Sequence, residues 1–288
     1  SVPGGSRTKV SARELALGAG NPWELPEDAR AAVVDGDPDA QRVVAALAGA
    51  AKLLEIPPPR RPWLDELAES YDLKDLAKQS PTGAAFALGD DPAHQAQFVA
   101  AFDPDQDGNM LILGGSGAGK STALRSVAIG ATLATEIAPV HIYALDAASG
   151  GLDMLRPLPH VADVVDGDDL ERVTRMMDRI ANIVRERSTK FTSARASNLT
   201  EYRTMANERG LPRIIVLIDG YGTFQSDYMN EVGRQKVFGD FQEILAEGRA
   251  VGVHVVVSAD RVGALHTSIQ ALVSRTVTLR LNDENAYG

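Results

Sequence analysis

Short apolar runs alternate with longer amphipathic stretches from residue 86 onward. The apolar runs cover residues 110–113, 140–145, 213–218, 253–258 and 276–281, and the stretches with helical spacing cover residues 120–135, 168–189 and 231–250. Strands that are apolar along their whole length and alternate with helices are typical of a parallel sheet with helices on both faces. The pattern therefore predicts an α/β fold with a mainly parallel sheet.

The first 80 residues have a different pattern. Prolines and glycines interrupt the chain repeatedly, and the run PPPRRP at residues 57–62 must be extended, because proline lacks a backbone donor and restrains its neighbour. Between these breaks, residues 39–55 carry apolar residues at helical spacing and predict one helix. We therefore expect a connector with short helices and a proline-rich segment at residues 1–80, and one folded module at residues 81–288.

Composition and charge exclude several classes of protein. The chain has 288 residues, a net charge of −10 and no cysteine, which rules out a disulfide framework and a thiolate metal site. No stretch has the roughly 18 uninterrupted apolar residues of a membrane-spanning helix, so we expect a soluble fragment. The acidic balance argues against a protein that holds nucleic acid by its phosphates.

The strongest chemical signal is GGSGAGKS at residues 114–121, followed by a threonine. It matches G-x-x-x-x-G-K-[ST], with an apolar run before it and a helical pattern after it. In such loops backbone N–H groups surround the phosphates, the lysine reaches the β- and γ-phosphates, and the serine hydroxyl holds Mg²⁺. We therefore expect ATP and Mg²⁺ as cofactors. The predicted nucleotide-binding residues of this loop are Gly114, Gly115, Ser116, Gly117, Ala118, Gly119, Lys120, Ser121 and Thr122.

A second signal is the apolar run that ends in Asp219. A carboxylate at the carboxyl end of a parallel strand supports Mg²⁺ in P-loop proteins, so Ser121 and Asp219 are the predicted Mg²⁺ residues. Hydrolytic motors of this type place a glutamate next, which orients or deprotonates the attacking water. This chain has Gly220 there. We therefore expect ATP binding with slow or no hydrolysis, and whether the chain acts as an enzyme stays open. The alternative is that a carboxylate from elsewhere, such as Asp146, supplies the base.

Other polar residues have two interpretations each. Asp260 follows the run at 253–258, where related folds sense the γ-phosphate, but the same position fits a solvated turn. Arg249, Arg261 and Arg275 are candidates to reach the phosphates of a neighbouring subunit, although most surface arginines have no such role. The five histidines lack metal-ligand spacing. We predict no ligand role for them.

Residues 84–287 resemble ATPase domains of the FtsK/SpoIIIE type. The likeness rests on ALGDDPAHQ, GGSGAGKST, IIVLIDG and EGRAVGVHVVVSADR, in that order. YALDAASGGLDMLRPLPHVADVV and LIDGYGTF are similar to the EccC family of type VII secretion ATPases, and most similar to its second, degenerate module. The resemblance implies a RecA/FtsK-like P-loop fold.

The same resemblance implies a function. The chain would be an ATP-binding module of a type VII (ESX) protein-secretion motor. Its expected partners are neighbouring ATPase modules and subunits of a hexameric ring, and ESX-class secreted proteins reached through the parent motor. The parent would lie at the cytoplasmic face of the cell membrane, attached only through parts outside this chain. No nucleic acid partner is expected. The alternative is a DNA translocase or conjugation motor of the FtsK family, which the acidic balance and Gly220 disfavour.

Overall fold

The computed structural model describes residues 39–57, 63–261 and 263–281. The chain divides into two compact units, residues 1–61 and 62–288. In the first unit, helix α1 spans Asp39–Leu53, so the predicted helix at 39–55 is confirmed apart from its last two residues. None of the described helices is both long and apolar enough to cross a membrane.

The second unit contains the remaining described elements. Its strands are β1 (Ala84–Asp91), β2 (Ala96–Phe102), β3 (Met110–Leu113), β4 (Val140–Asp146), β5 (Val161–Asp166), β6 (Arg213–Asp219), β7 (Val253–Ala259) and β8 (Arg275–Thr278). Its helices are α2 (Leu73–Lys78), α3 (Pro104–Asp107), α4 (Lys120–Leu133), α5 (Leu170–Ala194), α6 (Leu199–Met205), α7 (Tyr221–Met229), α8 (Gln235–Glu247) and α9 (Thr267–Gln270).

Six of these strands form one parallel sheet in the order β5-β4-β6-β7-β3-β8. The predicted α/β class with a parallel sheet is confirmed. Strands β1 and β2 form a separate antiparallel pair, which the apolar pattern did not predict. All six carboxyl ends lie at one edge of the sheet because the strands are parallel. This edge is where ligands bind in open α/β folds.

Alternate residues of the strands face two hydrophobic layers. In β3, Met110 and Ile112 belong to the layer that α4 covers with Leu124 and Val127. Leu111 and Leu113 belong to the opposite layer, which α5, α7 and α8 cover. This period of two along a strand fixes which residues face each helix layer. Helices on both faces therefore hold β3 and its neighbours rigidly beneath the carboxyl edge.

The boundary between the units lies at residue 61 and not at residue 80. Helix α2 accounts for this difference, because Leu76 and Ala77 are buried in a small cluster with Ala85 of β1. Asp72 caps the amino end of α2 by accepting a hydrogen bond from Lys74 N–H at 2.8 Å. Residues 63–80 therefore belong to the same unit as the sheet, whereas the sequence pattern placed them in the connector.

At the opposite, amino edge of the sheet lies a buried charged cluster. Arg213 of β6 is 2% exposed and donates two hydrogen bonds to the Asp105 carboxylate, at 2.6 and 3.0 Å. It also contacts Nε2 of His254 at 3.0 Å, while Nδ1 of His254 donates to the Gly108 carbonyl at 2.9 Å. The imidazole is therefore neutral, with one nitrogen donating and the other accepting. Burial, reinforced by the charge of Arg213, lowers the pKa of His254 to about 3.

Candidate functional site

A cleft of about 800 Å³ opens at the carboxyl edge of the sheet. Its lining comes from the loop after β3, the start of α4, and the segments that follow β4, β6 and β7. The lining residues are Gly115, Ser116, Gly117, Gly119, Lys120, Ser121, Thr122, Ala147, Ala148, Ser149, Asp219, Gly220, Thr223 and Asp260. The fold thus brings the two predicted motifs, 98 residues apart from Ser121 to Asp219, to one place.

The loop after β3 has the geometry of a phosphate-binding turn. Gly117 and Gly119 have φ values of +70° and +97°, in the left-handed region that favours glycine. A Cβ atom on either residue would meet nothing within 4 Å, so the space beside the loop is open. Gly119 caps α4, which begins at Lys120. The amino end of α4 therefore directs its free N–H groups and the positive end of its dipole to the cleft.

Lys120 is held at the centre of this loop. Its Nζ donates to the carbonyl oxygens of Gly114 at 2.9 Å and Gly115 at 3.0 Å. A third contact, at 2.8 Å, is an ion pair with Oδ1 of Asp260. The lysine side chain is 13% exposed. The positive charge of Lys120 is therefore held next to the open space beside Gly117 and Gly119.

A chain of hydrogen bonds joins α4 to β6 and β7. The hydroxyl of Ser121 donates to Oδ2 of Asp219 at 2.5 Å. Ser258, on β7, donates to Oδ1 of the same carboxylate at 2.5 Å and accepts from the Gly220 N–H at 2.9 Å. Asp219 is 1% exposed and Ser258 is fully buried. Ser258 is not among the predicted site residues, because only the pairing of β7 beside β6 reveals its position.

The segment after β4, residues 147–152, forms a loop against this chain of hydrogen bonds; we call it the β4 loop. Asp146 organises it by accepting from the N–H groups of Ala148 at 3.1 Å, Gly150 at 3.2 Å and Leu152 at 2.8 Å. Asp146 is 6% exposed and does not line the cleft. Its carboxylate oxygens are occupied by the three N–H groups of the loop, and a role as the substitute base stays a prediction.

The β4 loop also lies against the position after Asp219. Gly220 has φ +81°, and a Cβ atom there would lie 3.0 Å from the carbonyl carbon and oxygen of Ala147. A Cβ atom on Gly151 would lie 2.8 Å from Cβ and 2.9 Å from Oγ of Ser121. A side chain at Gly151 would clash with Ser121, and one at Gly220 would be both tightly packed and in a left-handed conformation that favours glycine. A Cβ atom at residue 220 would thus be in tight contact with the backbone of Ala147.

The arginine candidates lie in different places. Arg249 donates to the carbonyls of Asp105 and Gln106 at 3.1 and 3.0 Å. Arg275 contacts Asp107 at 2.6 Å. Both therefore lie at the amino edge, away from the cleft, and make contacts within their own chain. Arg261 directly follows Asp260 at the carboxyl edge, so its proposed role toward a neighbouring subunit stays a prediction.

The donor set fits a nucleotide with a hard divalent cation. The hydroxyl of Ser121 and the carboxylate of Asp219 are oxygen donors of the type that Mg²⁺ binds together with phosphate oxygens and water. The described residues contain no group of three or more His, Cys, Asp or Glu side chains that could hold a metal alone. A cation here would therefore need phosphate oxygens to complete its coordination.

Two proteins similar to this chain are named as type VII secretion proteins. The ESX-1 secretion system protein EccCb1 of Mycobacterium tuberculosis is 28% identical over 234 residues, 77% of this chain and 39% of the relative. The type VII secretion system protein EssC of Staphylococcus aureus is 25% identical over 243 residues, 81% of this chain and 16% of the relative. The chain thus spans about two fifths or less of the length of these relatives.

Solved structures and a family model extend the comparison. The cytoplasmic domain of the Thermomonospora curvata type VII secretion ATPase EccC superposes with a TM-score of 0.69 at 26% identity, and the match covers 79% of this chain and 28% of that one. The FtsK/SpoIIIE family model matches residues 38–287. The resemblance inferred from the motifs is therefore confirmed, and the chain belongs to the FtsK/SpoIIIE family.

Proposed function

We propose that this chain is an ATP-binding module of a type VII (ESX) protein-secretion motor. It would bind Mg-ATP through the loop at residues 114–122 and through Asp219, with slow or no hydrolysis of its own. Support comes from the site geometry and from relatives that are named as type VII secretion proteins. The hexameric ring, the ESX-class substrates and the cytoplasmic face of the membrane are proposed for the parent motor on the same grounds.

The contact between Ser121 and Asp219 carries the nucleotide part of the proposal. Their 2.5 Å hydrogen bond joins the first turn of α4 to the end of β6, beside Lys120. Two oxygen donors this close, next to one lysine and a turn of free N–H groups, form the arrangement that P-loop proteins use for Mg²⁺ and phosphate. When bound, Mg²⁺ would supply positive charge that offsets the negative charge of the phosphates.

The chain's own groups have separate tasks in this proposal. The N–H groups at the start of α4 and Lys120 Nζ donate to phosphate oxygens. The hydroxyl of Ser121 and the carboxylate of Asp219 would together hold Mg²⁺ beside the phosphates. Ser258 holds Asp219 in place through its own hydrogen bond.

Weak hydrolysis follows from what surrounds the position after Asp219. Gly220 has no side chain to polarise water, and Asp146 is used by the β4 loop. The remaining hydroxyls of the cleft lining in that region, Ser149 and Thr223, are too weakly basic to deprotonate water near neutral pH. The arrangement therefore favours nucleotide binding over turnover.

Calorimetric titration with ATP, with and without Mg²⁺, tests this function. We expect Mg²⁺-dependent binding that Lys120→Ala abolishes, and turnover far below that of a motor with the glutamate. Lys190→Ala is a matched control because this exposed lysine lies in α5, away from the cleft. Absence of ATP binding, or binding that survives Lys120→Ala, would contradict the proposal. Fast turnover would contradict the hydrolysis part alone.

The DNA-motor alternative is tested independently of ATP. With a net charge of −10, the chain should not retard duplex DNA in a gel even at low salt. Retardation that weakens steeply as salt is added would favour the alternative.

A further inference from the structure

The P-loop lysine has an anionic partner from its own chain. Oδ1 of Asp260 lies 2.8 Å from Nζ of Lys120. Asp260 is the residue after β7, and its side chain is 79% exposed. The sequence left open whether this aspartate faces the nucleotide site or a solvated turn. The ion pair places it in the site.

This ion pair completes the donor capacity of Lys120. An ammonium group has three N–H donors, and its three partners are the carbonyls of Gly114 and Gly115 and the carboxylate of Asp260. A phosphate oxygen must replace one of them. The two carbonyls belong to the loop that surrounds the phosphates, whereas Asp260 is exposed and can move into solvent. Asp260 is therefore the partner that an incoming phosphate would displace.

The charges of the cleft lining indicate which nucleotide would be weakened more by the competition between Asp260 and phosphate for Lys120. Among the described lining residues, Lys120 carries one positive charge, and Asp219 and Asp260 carry two negative charges, so that the sum is +1 − 2 = −1. Asp260 directly follows β7 and lines the same cleft as Lys120. A terminal phosphate at Lys120 then lies near a second anion, which repels it. A nucleoside diphosphate brings only its β-phosphate to Lys120 and, with one phosphate fewer, meets less of this repulsion.

We infer that Asp260 is a specificity-determining residue, an internal anion that competes with the terminal phosphate for Lys120 and lowers the affinity for nucleoside triphosphate more than for diphosphate. The inference rests on the proposed function, because it concerns the same nucleotide site. It assigns Asp260 a role opposite to that of a residue that stabilises the γ-phosphate.

The experiment compares the dissociation constants of Mg-ATP and Mg-ADP for the unmodified chain and for Asp260→Asn. Asparagine keeps the shape and removes the charge. We expect the Kd for ATP to fall by about fivefold, the scale of one exposed ion pair, and the Kd for ADP to change by about twofold or less. Glu136→Gln removes one exposed carboxylate outside the cleft lining and controls for the change in net charge.

The possible results are distinguishable. A fall in the ATP Kd with little change for ADP, absent in Glu136→Gln, supports the inference. Equal effects on both nucleotides, no effect, or weaker ATP binding would overturn it while leaving the proposed function intact. If the unmodified chain binds neither nucleotide, both the proposed function and the inference fail. Raising the salt concentration should narrow the difference between the variant and the unmodified chain, because the competing charges are exposed.

Discussion

Ser258 and Asp219 lie on adjacent strands, and the serine hydroxyl donates to the buried aspartate at 2.5 Å while it accepts from the Gly220 N–H at 2.9 Å. One side chain of β7 thus fixes both the carboxylate of the proposed Mg²⁺ site and the backbone that follows it. Asp219 contributes its other oxygen to Ser121. The orientation of the carboxylate is therefore set before any ligand binds.

Replacing Ser258 with alanine should weaken the Mg²⁺-dependent part of nucleotide binding. The change leaves Oδ1 of Asp219 and the Gly220 N–H buried without this partner, which should lower the free energy of unfolding by about 2 kcal/mol. ATP titrations with and without Mg²⁺, and chemical denaturation, measure the two effects. Ser226→Ala, at an exposed position of α7, should change neither. An unchanged Mg²⁺ dependence in Ser258→Ala would show that Ser258 does not position Asp219.

Gly220 and Gly222 should respond oppositely to alanine. At residue 220 the methyl group would require φ near +81° and would press on the Ala147 backbone at 3.0 Å, so we expect a loss of about 2 kcal/mol of stability. Gly222 lies within α7 with nothing within 4 Å of its Cβ position, and alanine there should gain up to about 1 kcal/mol. Denaturation midpoints of the two variants measure this, and a stable Gly220→Ala would refute the close approach.

The same contact predicts the outcome of restoring the glutamate. Gly220→Glu should not gain ATP turnover, because its Cβ atom would press on the Ala147 backbone and the backbone at residue 220 is left-handed. A phosphate-release assay on the folded variant measures turnover, with circular dichroism as the check of folding. A clear gain in turnover would show that the β4 loop can withdraw and that only one side chain is missing from a hydrolytic site.

Asp146 should control the order of the β4 loop. Asp146→Ala removes the acceptor of three N–H groups, and hydrogen exchange of those amides should speed up by about tenfold or more. Mass-spectrometric exchange over residues 147–152 measures the effect. Glu136→Ala, which removes an exposed carboxylate, should leave this segment unchanged. Unaltered exchange in Asp146→Ala would mean that packing alone holds the loop.

His254 should make the protein less stable as the pH falls from neutrality. Its pKa is about 3 in the folded chain and about 6.5 when unfolded, so between these values the unfolded state binds more protons. Stability is then fully present above pH 6.5 and declines below it, by about 1 kcal/mol per pH unit from this residue. His254→Gln should flatten the slope between pH 6.5 and 4.5, and His94→Gln, which is exposed, should not. Equal slopes would show that His254 protonates freely in the fold.

The sequence predicted the parts of the fold in which local pattern and tertiary environment agree. The buried strands β3, β4, β6 and β7 lie where the apolar runs placed them, because strands covered on both faces are apolar throughout. Strand β8 is shorter than its predicted run and is partly exposed. Helix α5 extends to Ala194, beyond the predicted end at residue 189.

The missed strands have weak local signals. Strand β5 is an edge strand in which Asp163 and Asp166 interrupt the apolar residues. Strands β1 and β2 are rich in alanine, which has low strand propensity. Their pairing with one another depends on contacts that a short window along the sequence does not contain.

The candidate site likewise has parts that the sequence predicted and parts that only the structure reveals. The loop at 114–122 and Asp219 were found from the sequence because each is a contiguous motif with its own strand and helix context. Ser258 and the close approach of the β4 loop to Gly220 join residues far apart in the chain. Only the strand order shows that these residues meet.

That strand order also determines the width of the cleft. Strands β3 and β6, which lead into the P-loop and end in Asp219, are not neighbours, since β7 lies between them. Their separation is two inter-strand spacings, roughly 10 Å. Strand β7 thus sets the distance between the proposed phosphate-binding and Mg²⁺-binding halves of the site. A bulge inserted into β7 would shift the P-loop and Asp219 relative to one another, although the motif residues themselves would be unchanged in the sequence.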